Sequence, residues 1–224
     1  MILVAFGIKF NKEAKTPFPL YFTGISPEIQ RRIEKFYHID EKGTNFPVEI
    51  TEKLNTDLFP KERLVYLSPD SKNDLMQFDD DDIYVIGGIV DKGTDYSPLT
   101  LANAKRNKIR HARFPMRRTI GLAAELNVEA CIAIMNDMKY SNDWFYSMRW
   151  VPSRFFFKRA SQPGASQQHK LAYRARQALH PLSSGKEWVQ SLSPSQYRHL
   201  YRKVIEAKSR EETAQILEGL GKKS

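Results

Sequence analysis

The 224 residues, 41% of them hydrophobic, suffice for one filled core of roughly 150 residues plus a tail, and two full domains would be cramped. No apolar run approaches the ~18 residues that span a bilayer, and Met1 to Phe10 is too short and too lightly charged to read as a signal or transit peptide. The net charge of +9 is uneven: residues 149 to 224 hold 15 Lys and Arg against 5 Asp and Glu, and residues 1 to 148 hold 20 against 21.

Phe18 to Thr23 reads as a first strand ended by Gly24. Ser26 and Pro27 then form a helix start, Ser26 as N-cap and Pro27 in the first turn, for a helix to about Tyr37. A polar connection with Gly43 and Pro47 leads through Asp57 to Pro60 into a strand at 63 to 67, and Ser68 to Ser71 turns into a short helix around Asn73 to Phe78. Asp79 to Asp82 lack the alternating spacing and later glutamate of a calcium loop, so they read as a solvated turn. Ile83 to Asp91 is a second buried strand that opens at Gly87 and Gly88, where missing side chains let a ligand approach the backbone, with Asp91 at the rim. Both strands are short β-branched and aromatic runs that stop in turn formers, as parallel strands do when their C-terminal ends open onto a ligand crevice.

Lys92 to Pro98 reads as a flexible loop, Leu99 to Asn107 as a short helix, and Ile109 to Phe114 as a last strand stopped by Pro115. Val128, Cys131, Ile132, Met135 and Met138 recur at helical spacing, with Asn127 as cap and Glu129 in the first turn. Cys131 is thus a core thiol, and as the single cysteine it excludes an internal disulfide. Trp144 to Trp150 predicts a helix, and Phe155 to Phe157 beside Lys158 and Arg159 closes the globular part. A linker spans 161 to 168, and the basic tail from 169 to 224 contains helical segments at Ser195 to Lys208 and Glu211 to Leu220 but few large apolar residues to bury. The strand and helix order argues for a mainly parallel α/β sheet.

No P-loop, Gly-x-Gly-x-x-Gly or Gly-x-Ser-x-Gly occurs, and His38, His111, His169, His180 and His199 show no metal-ligand spacing. A second basic cluster runs from Lys105 to Arg118 while 40 to 95 is acidic, a separation that suits a polyanionic partner. Three classes stay open on these features: an enzyme with a small-molecule cofactor in the crevice, an RNA-binding scaffold, and a nucleotide-dependent oxidoreductase, against which the missing glycine fingerprint counts.

The runs Leu64 to Ser71, Gly87 to Asp91, Leu99 to Arg106 and Ala112 to Pro115 resemble, in order and spacing, signatures of the SPOUT-class methyltransferases that modify the purine at tRNA position nine. Pro17 and Phe18 with Tyr21 and Phe22, Asp57 to Lys61, Val90 to Lys92, Ala104 to Arg106 and Trp150 to Pro152 resemble that family's mitochondrial branch. The similarity covers roughly residues 15 to 160.

The resemblance implies a SPOUT-type α/β domain over residues 1 to 160 with a C-terminal trefoil knot, an exception to the usual rule against threading. It implies S-adenosylmethionine as cofactor and methylation of purine N1, guanine or adenine, with Asp91 as the catalytic base. Leu67, Gly87, Asp91, Thr100, Phe114 and Leu126 become the cofactor-binding positions, Phe114 standing where leucine is usual. Lys105, Arg106, Arg110, Arg113, Lys158 and Arg159 are candidate RNA contacts. The mitochondrial branch further implies residence in the mitochondrial matrix and a part in tRNA 5′ processing by ribonuclease P, beside a short-chain dehydrogenase subunit and a separate nuclease subunit. Such domains open with one more strand and helix; this chain would be N-terminally incomplete, Met1 to Phe6 being the remains of the following helix. A scaffold that holds tRNA without catalysis is the competing function.

Overall fold

The computed structural model describes residues 11–37, 48–88, 98–182 and 188–221. The chain forms two compact units, one of residues 1–115 and 125–142, the other of 116–124 and 143–224.

In the first unit, β1 (Leu20–Phe22) pairs in parallel with β2 (Val48–Ile50), Leu20 opposite Val48. Helix α1 (Pro27–Tyr37) lies between them in sequence, with proline in its first turn and Ile33 buried. Strand β2 has no sequence signal, because three residues between polar stretches carry no readable period and only the partner strand defines them.

A second sheet has the order β4-β3-β5, with β3 (Leu64–Leu67) central and parallel to both β4 (Ile83–Ile86) and β5 (Arg110–Ala112). All four residues of β3 are buried, which explains why this strand is a continuous apolar run and not an alternating one. Leu64 and Tyr66 pack with Ala104 of α2 (Leu99–Arg106) and with Ile109. Burial of a leucine-sized side chain stabilises by about 1.5–3 kcal/mol. Helix α3 (Val128–Ser141) starts at Asn127, whose Oδ1 accepts from the Ala130 N–H at 3.0 Å, and ends at Asn142 in the left-handed region with φ 48°. Cys131 is buried on this helix, and burial pushes its thiol up to about 12.

Two local expectations give way. The helix expected around Asn73 to Phe78 is absent; Asp74 instead makes a parallel bridge with Arg113. The Leu75 N–H donates to Arg113 O and the Arg113 N–H to Asn73 O, both at 2.8 Å, and Arg113 Nε donates to Asp74 Oδ1 at 2.7 Å. These bonds extend the edge beyond β5 and outcompete a helix too short to be stable alone. The second strand ends at Ile86; Ile89 to Asp91 and the expected loop from Lys92 lie outside the described residues, apart from Pro98.

In the second unit, a one-turn helix (Trp144–Ser147) passes into a 3-10 turn (Met148–Trp150) where one helix was expected. There follow α4 (Ser153–Ala160), α5 (Gln167–Ala178), α6 (Pro194–Glu206) and α7 (Arg210–Gly221). Ser193 caps α6 reciprocally with Gln196. The expectation of little to bury is wrong: Tyr146, Ala175, Leu179, Tyr197, Leu200, Val204 and Leu217 form an apolar core of this unit. Tyr197, Leu200 and Val204 recur on one face of α6, a stripe that its many charged residues conceal in a composition count.

Several of the arginines between 149 and 224 are used inside this unit. Arg149, 3% exposed, donates to Val189 O at 2.8 Å and Gln190 O at 3.2 Å. Arg174 donates to Val204 O at 3.0 Å and to Ala207 O, closing the C-terminal end of α6. Arg176, 1% exposed, donates to Tyr197 Oη at 3.2 Å and lies over the rings of Phe145, Phe156, Tyr197 and Tyr201. Arg198 forms a two-pronged pair with Asp143, at 2.6 and 2.8 Å.

Candidate cofactor crevice and RNA contacts

The register aligns the C-terminal ends of the three central strands, since Leu67 stands opposite both Ile86 and Ala112. The segments leaving those ends begin at Ser68, Gly87 and Arg113, where a parallel sheet presents its ligand crevice. Ser68 is buried, its N–H donates to Ala112 O at 2.9 Å, and its Oγ accepts from Thr100 Oγ1 at 2.9 Å. Thr100, in the first turn of α2, thereby fastens that helix to the end of β3.

Thr100 also meets the end of β4. A Cβ at Gly87 would stand 2.6 Å from Thr100 Cγ2 and 3.6 Å from Tyr66 Oη, so a side chain there displaces one of its neighbours. At Gly88 a Cβ would find no atom of the described residues within 4 Å. The two glycines therefore differ: Gly87 admits the threonine, whereas Gly88 meets no described residue.

Of the expected cofactor positions, Leu67, Gly87 and Thr100 come together around Ser68. Phe114 is buried two residues beyond β5, and Leu126 is half-buried just before the Asn127 cap of α3. Asp91 lies outside the described residues. Ser68 and Tyr66 complete the neighbourhood; residue type alone had marked Ser68 only as a turn former. The segment after Ser68 is pinned to β5 by Ser71 Oγ, 2.9 Å from His111 Nδ1.

The expected RNA contacts divide by their partners. Lys105 and Arg106 are exposed at the C-terminal end of α2. Arg110 is paired with Asp82 and donates to Glu62 O at 2.6 Å, and Arg113 is paired with Asp74. These two guanidiniums join β5 to neighbouring segments, and their charge toward a polyanion is partly offset. Lys158 and Arg159 sit on α4 of the second unit, Lys158 exposed. Among the described residues no group of His, Cys, Asp and Glu is arranged to hold a metal ion, and no helix is long and apolar enough to cross a membrane.

A family model described as tRNA (guanine(9)-N(1))-methyltransferase TRM10/TRM10A matches residues 4–155. The mitochondrial ribonuclease P protein 1 homolog of Drosophila melanogaster is 33% identical over 165 residues, which are 71% of this chain and 36% of that protein. The tRNA methyltransferase 10 homolog C of Xenopus tropicalis is 35% identical over 148 residues, 65% of this chain and 33% of that protein. The chain thus spans about a third of the length of these curated relatives. A crystal structure of full-length spTrm10 in complex with SAH aligns with a TM-score of 0.58 and 28% identity, over 67% of this chain and 83% of that one.

Proposed function

The chain belongs to the Trm10 family of tRNA methyltransferases, and from that premise we propose that it transfers a methyl group from S-adenosylmethionine to N1 of the purine at tRNA position nine. The observation that carries this reading is the meeting of the Ser68 and Thr100 side chains with each other, and of Thr100 with Gly87, at the aligned C-terminal strand ends. That arrangement fits a bent nucleoside cofactor. The Ser68 to Thr100 bond holds two of the surrounding segments in place.

When bound, S-adenosylmethionine supplies an electrophilic methyl carbon on a sulfonium. Leu67, Gly87, Thr100, Phe114 and Leu126 would hold it, and their task is to fix the line between incoming ring nitrogen and methyl carbon, positioning being the main source of rate for such a displacement. Guanine N1 carries a proton at neutral pH, and Asp91 is assigned to accept it as the nitrogen attacks. Adenine N1 offers a free lone pair, so the same carboxylate matters less there. Lys105 and Arg106 are assigned to the tRNA backbone, with Arg110, Arg113, Lys158 and Arg159 as further contacts. By kinship with the mitochondrial ribonuclease P protein 1 homolog we extend the reading to the mitochondrial matrix and to a second, supporting part in tRNA 5′ processing with a dehydrogenase and a nuclease subunit. A trefoil-threaded C-terminal part of the methyltransferase domain belongs to the same proposal.

The test is transfer of labelled methyl from S-adenosylmethionine to tRNA transcripts with guanine or adenine at position nine, by this chain and by Asp91→Asn, with folding followed by circular dichroism. Methylation of guanine that the variant loses is the expected result. No transfer from a folded chain, with the dehydrogenase partner added, would sink catalysis and favour the scaffold.

A further inference from the structure

Arg154, Phe157 and Lys158, at i, i+3 and i+4, share one exposed face of α4, while Phe156 is buried against Arg176. Phe157 is 54% exposed. On α5, Lys170 and Tyr173 stand at i and i+3, the lysine exposed and the tyrosine half-buried. The two faces meet where the Phe157 and Tyr173 rings touch, their centroids 5.4 Å apart and their planes tilted by 56°. An exposed phenylalanine forgoes the stabilisation that burial brings, and here it forms one aromatic surface with a second ring. Phe157, Lys158, Lys170 and Tyr173 all lie beyond residue 155, where the family match ends, so that match does not account for the surface.

The electrostatic setting selects the partner. No Asp or Glu occurs from Trp144 to Lys186, so both helices and the turn joining them are free of acid. The side chains of Lys158 and Lys170 have neither a hydrogen bond nor an ion pair among the described residues, whereas Arg149, Arg174 and Arg176 are occupied inside the unit. Flat rings flanked by cations match a polymer that alternates planar apolar groups with anions. Single-stranded nucleic acid is such a polymer: its bases stack on aromatic rings while its phosphates meet the ammonium groups. A duplex hides its base faces in its own stack, and an acidic protein surface offers the charges without the planar faces.

We propose that Phe157 and Tyr173 form a stacking platform for an unpaired base of the tRNA, with Lys158 and Lys170 holding neighbouring phosphates. That the RNA is a tRNA rests on the reading above; the preference for single-stranded RNA does not. Phosphate contacts alone would bind any stretch of the substrate, whereas a stacked base restricts the helical unit to loops, bulges and single-stranded ends.

The experiment measures binding of a tRNA transcript, a single-stranded oligouridylate and an RNA duplex of the same length to the full chain, between about 50 and 200 mM salt. Phe157→Leu and Tyr173→Leu keep apolar bulk but not the flat face. Each should weaken oligouridylate and tRNA binding about tenfold, leave the slope of log affinity against log salt unchanged, and leave duplex binding as it was. Phe157→Tyr should bind as the parent does. Lys158→Gln and Lys170→Gln should each make the oligouridylate slope shallower by about 0.7, as for one lost phosphate contact. Oligouridylate carrying 5-iodouridine should crosslink to Phe157 or Tyr173 on irradiation, the peptide being located by mass spectrometry. Ring variants that fold by circular dichroism and bind oligouridylate and tRNA like the parent would overturn the platform, and if they still methylate tRNA the reading above stands. Ring-dependent oligouridylate binding by a chain that neither binds nor methylates tRNA keeps the platform and removes tRNA as its partner. No binding of oligouridylate by the parent overturns the platform. Ring variants that lose only binding to phosphatidylserine vesicles would assign the surface to a membrane and overturn RNA.

Discussion

The contact between Gly87 and Thr100 can be tested as a pair. Replacing Gly87 by alanine puts a methyl 2.6 Å from Thr100 Cγ2, far inside van der Waals contact, and α2 or the end of β4 must move to relieve it. Overpacking of this kind costs about 1–3 kcal/mol. Gly87 does not have a positive φ, so no backbone penalty is added, and alanine returns about 0.4–1 kcal/mol by restricting the unfolded chain. The expected net loss is about 1–2 kcal/mol, seen as a fall of about 2–8 °C in Tm. Thr100→Ser removes only the clashing methyl and keeps the hydroxyl that donates to Ser68, at a cost of about 0.8 kcal/mol. In Gly87→Ala with Thr100→Ser the new methyl occupies the vacated space, and stability should return close to that of the parent. Urea titrations of the four proteins give the coupling directly. Losses that add within about 0.5 kcal/mol would refute the close approach and the account of Gly87 built on it.

The buried Arg176 should tolerate methionine within about 1 kcal/mol, because its cation has no carboxylate partner among the described residues and its shape is retained, whereas alanine should cost about 2–4 kcal/mol through the cavity left among four rings. Equal losses in the two variants, measured by denaturant titration, would show that the charge itself is required. The Cys131 thiol, pushed up to about 12 by burial, should resist thiol reagents at neutral pH in the native protein and react once denatured; rapid native labelling would contradict its place in the core. His180 is held below its ordinary value by burial and then by Arg176, and its Nδ1 accepts from the Leu182 N–H at 3.2 Å. Its neutral form therefore supports the fold above the unfolded value of 6.5, and that support is lost as the pH falls below it. His180→Asn keeps the acceptor and should flatten the decline in Tm between neutral and mildly acid pH; a decline equal to the parent's would assign it to other groups.

What the residues determine by themselves is local or inherited. A continuous apolar run sufficed for β3 because both faces of a central parallel strand are buried, and the Asn127 cap with the Cys131 face sufficed for α3 because every signal lies within a few turns of one helix. The same holds for the successive signatures at 64–71, 87–91, 99–106 and 112–115, which identify a family in sequence alone. Partnerships across long separations were decided by the tertiary structure. Asp74 follows the edge of β5 because Arg113, 39 residues away, offers both backbone and guanidinium, and no local propensity encodes that offer. Residues 149 to 224 count as strongly basic in composition, yet Arg149, Arg174, Arg176 and Arg198 are spent on carbonyls, rings and a carboxylate 21 to 55 residues distant. Charge is a property of the residue, whereas its availability to a partner depends on which acceptors the folded chain brings within reach.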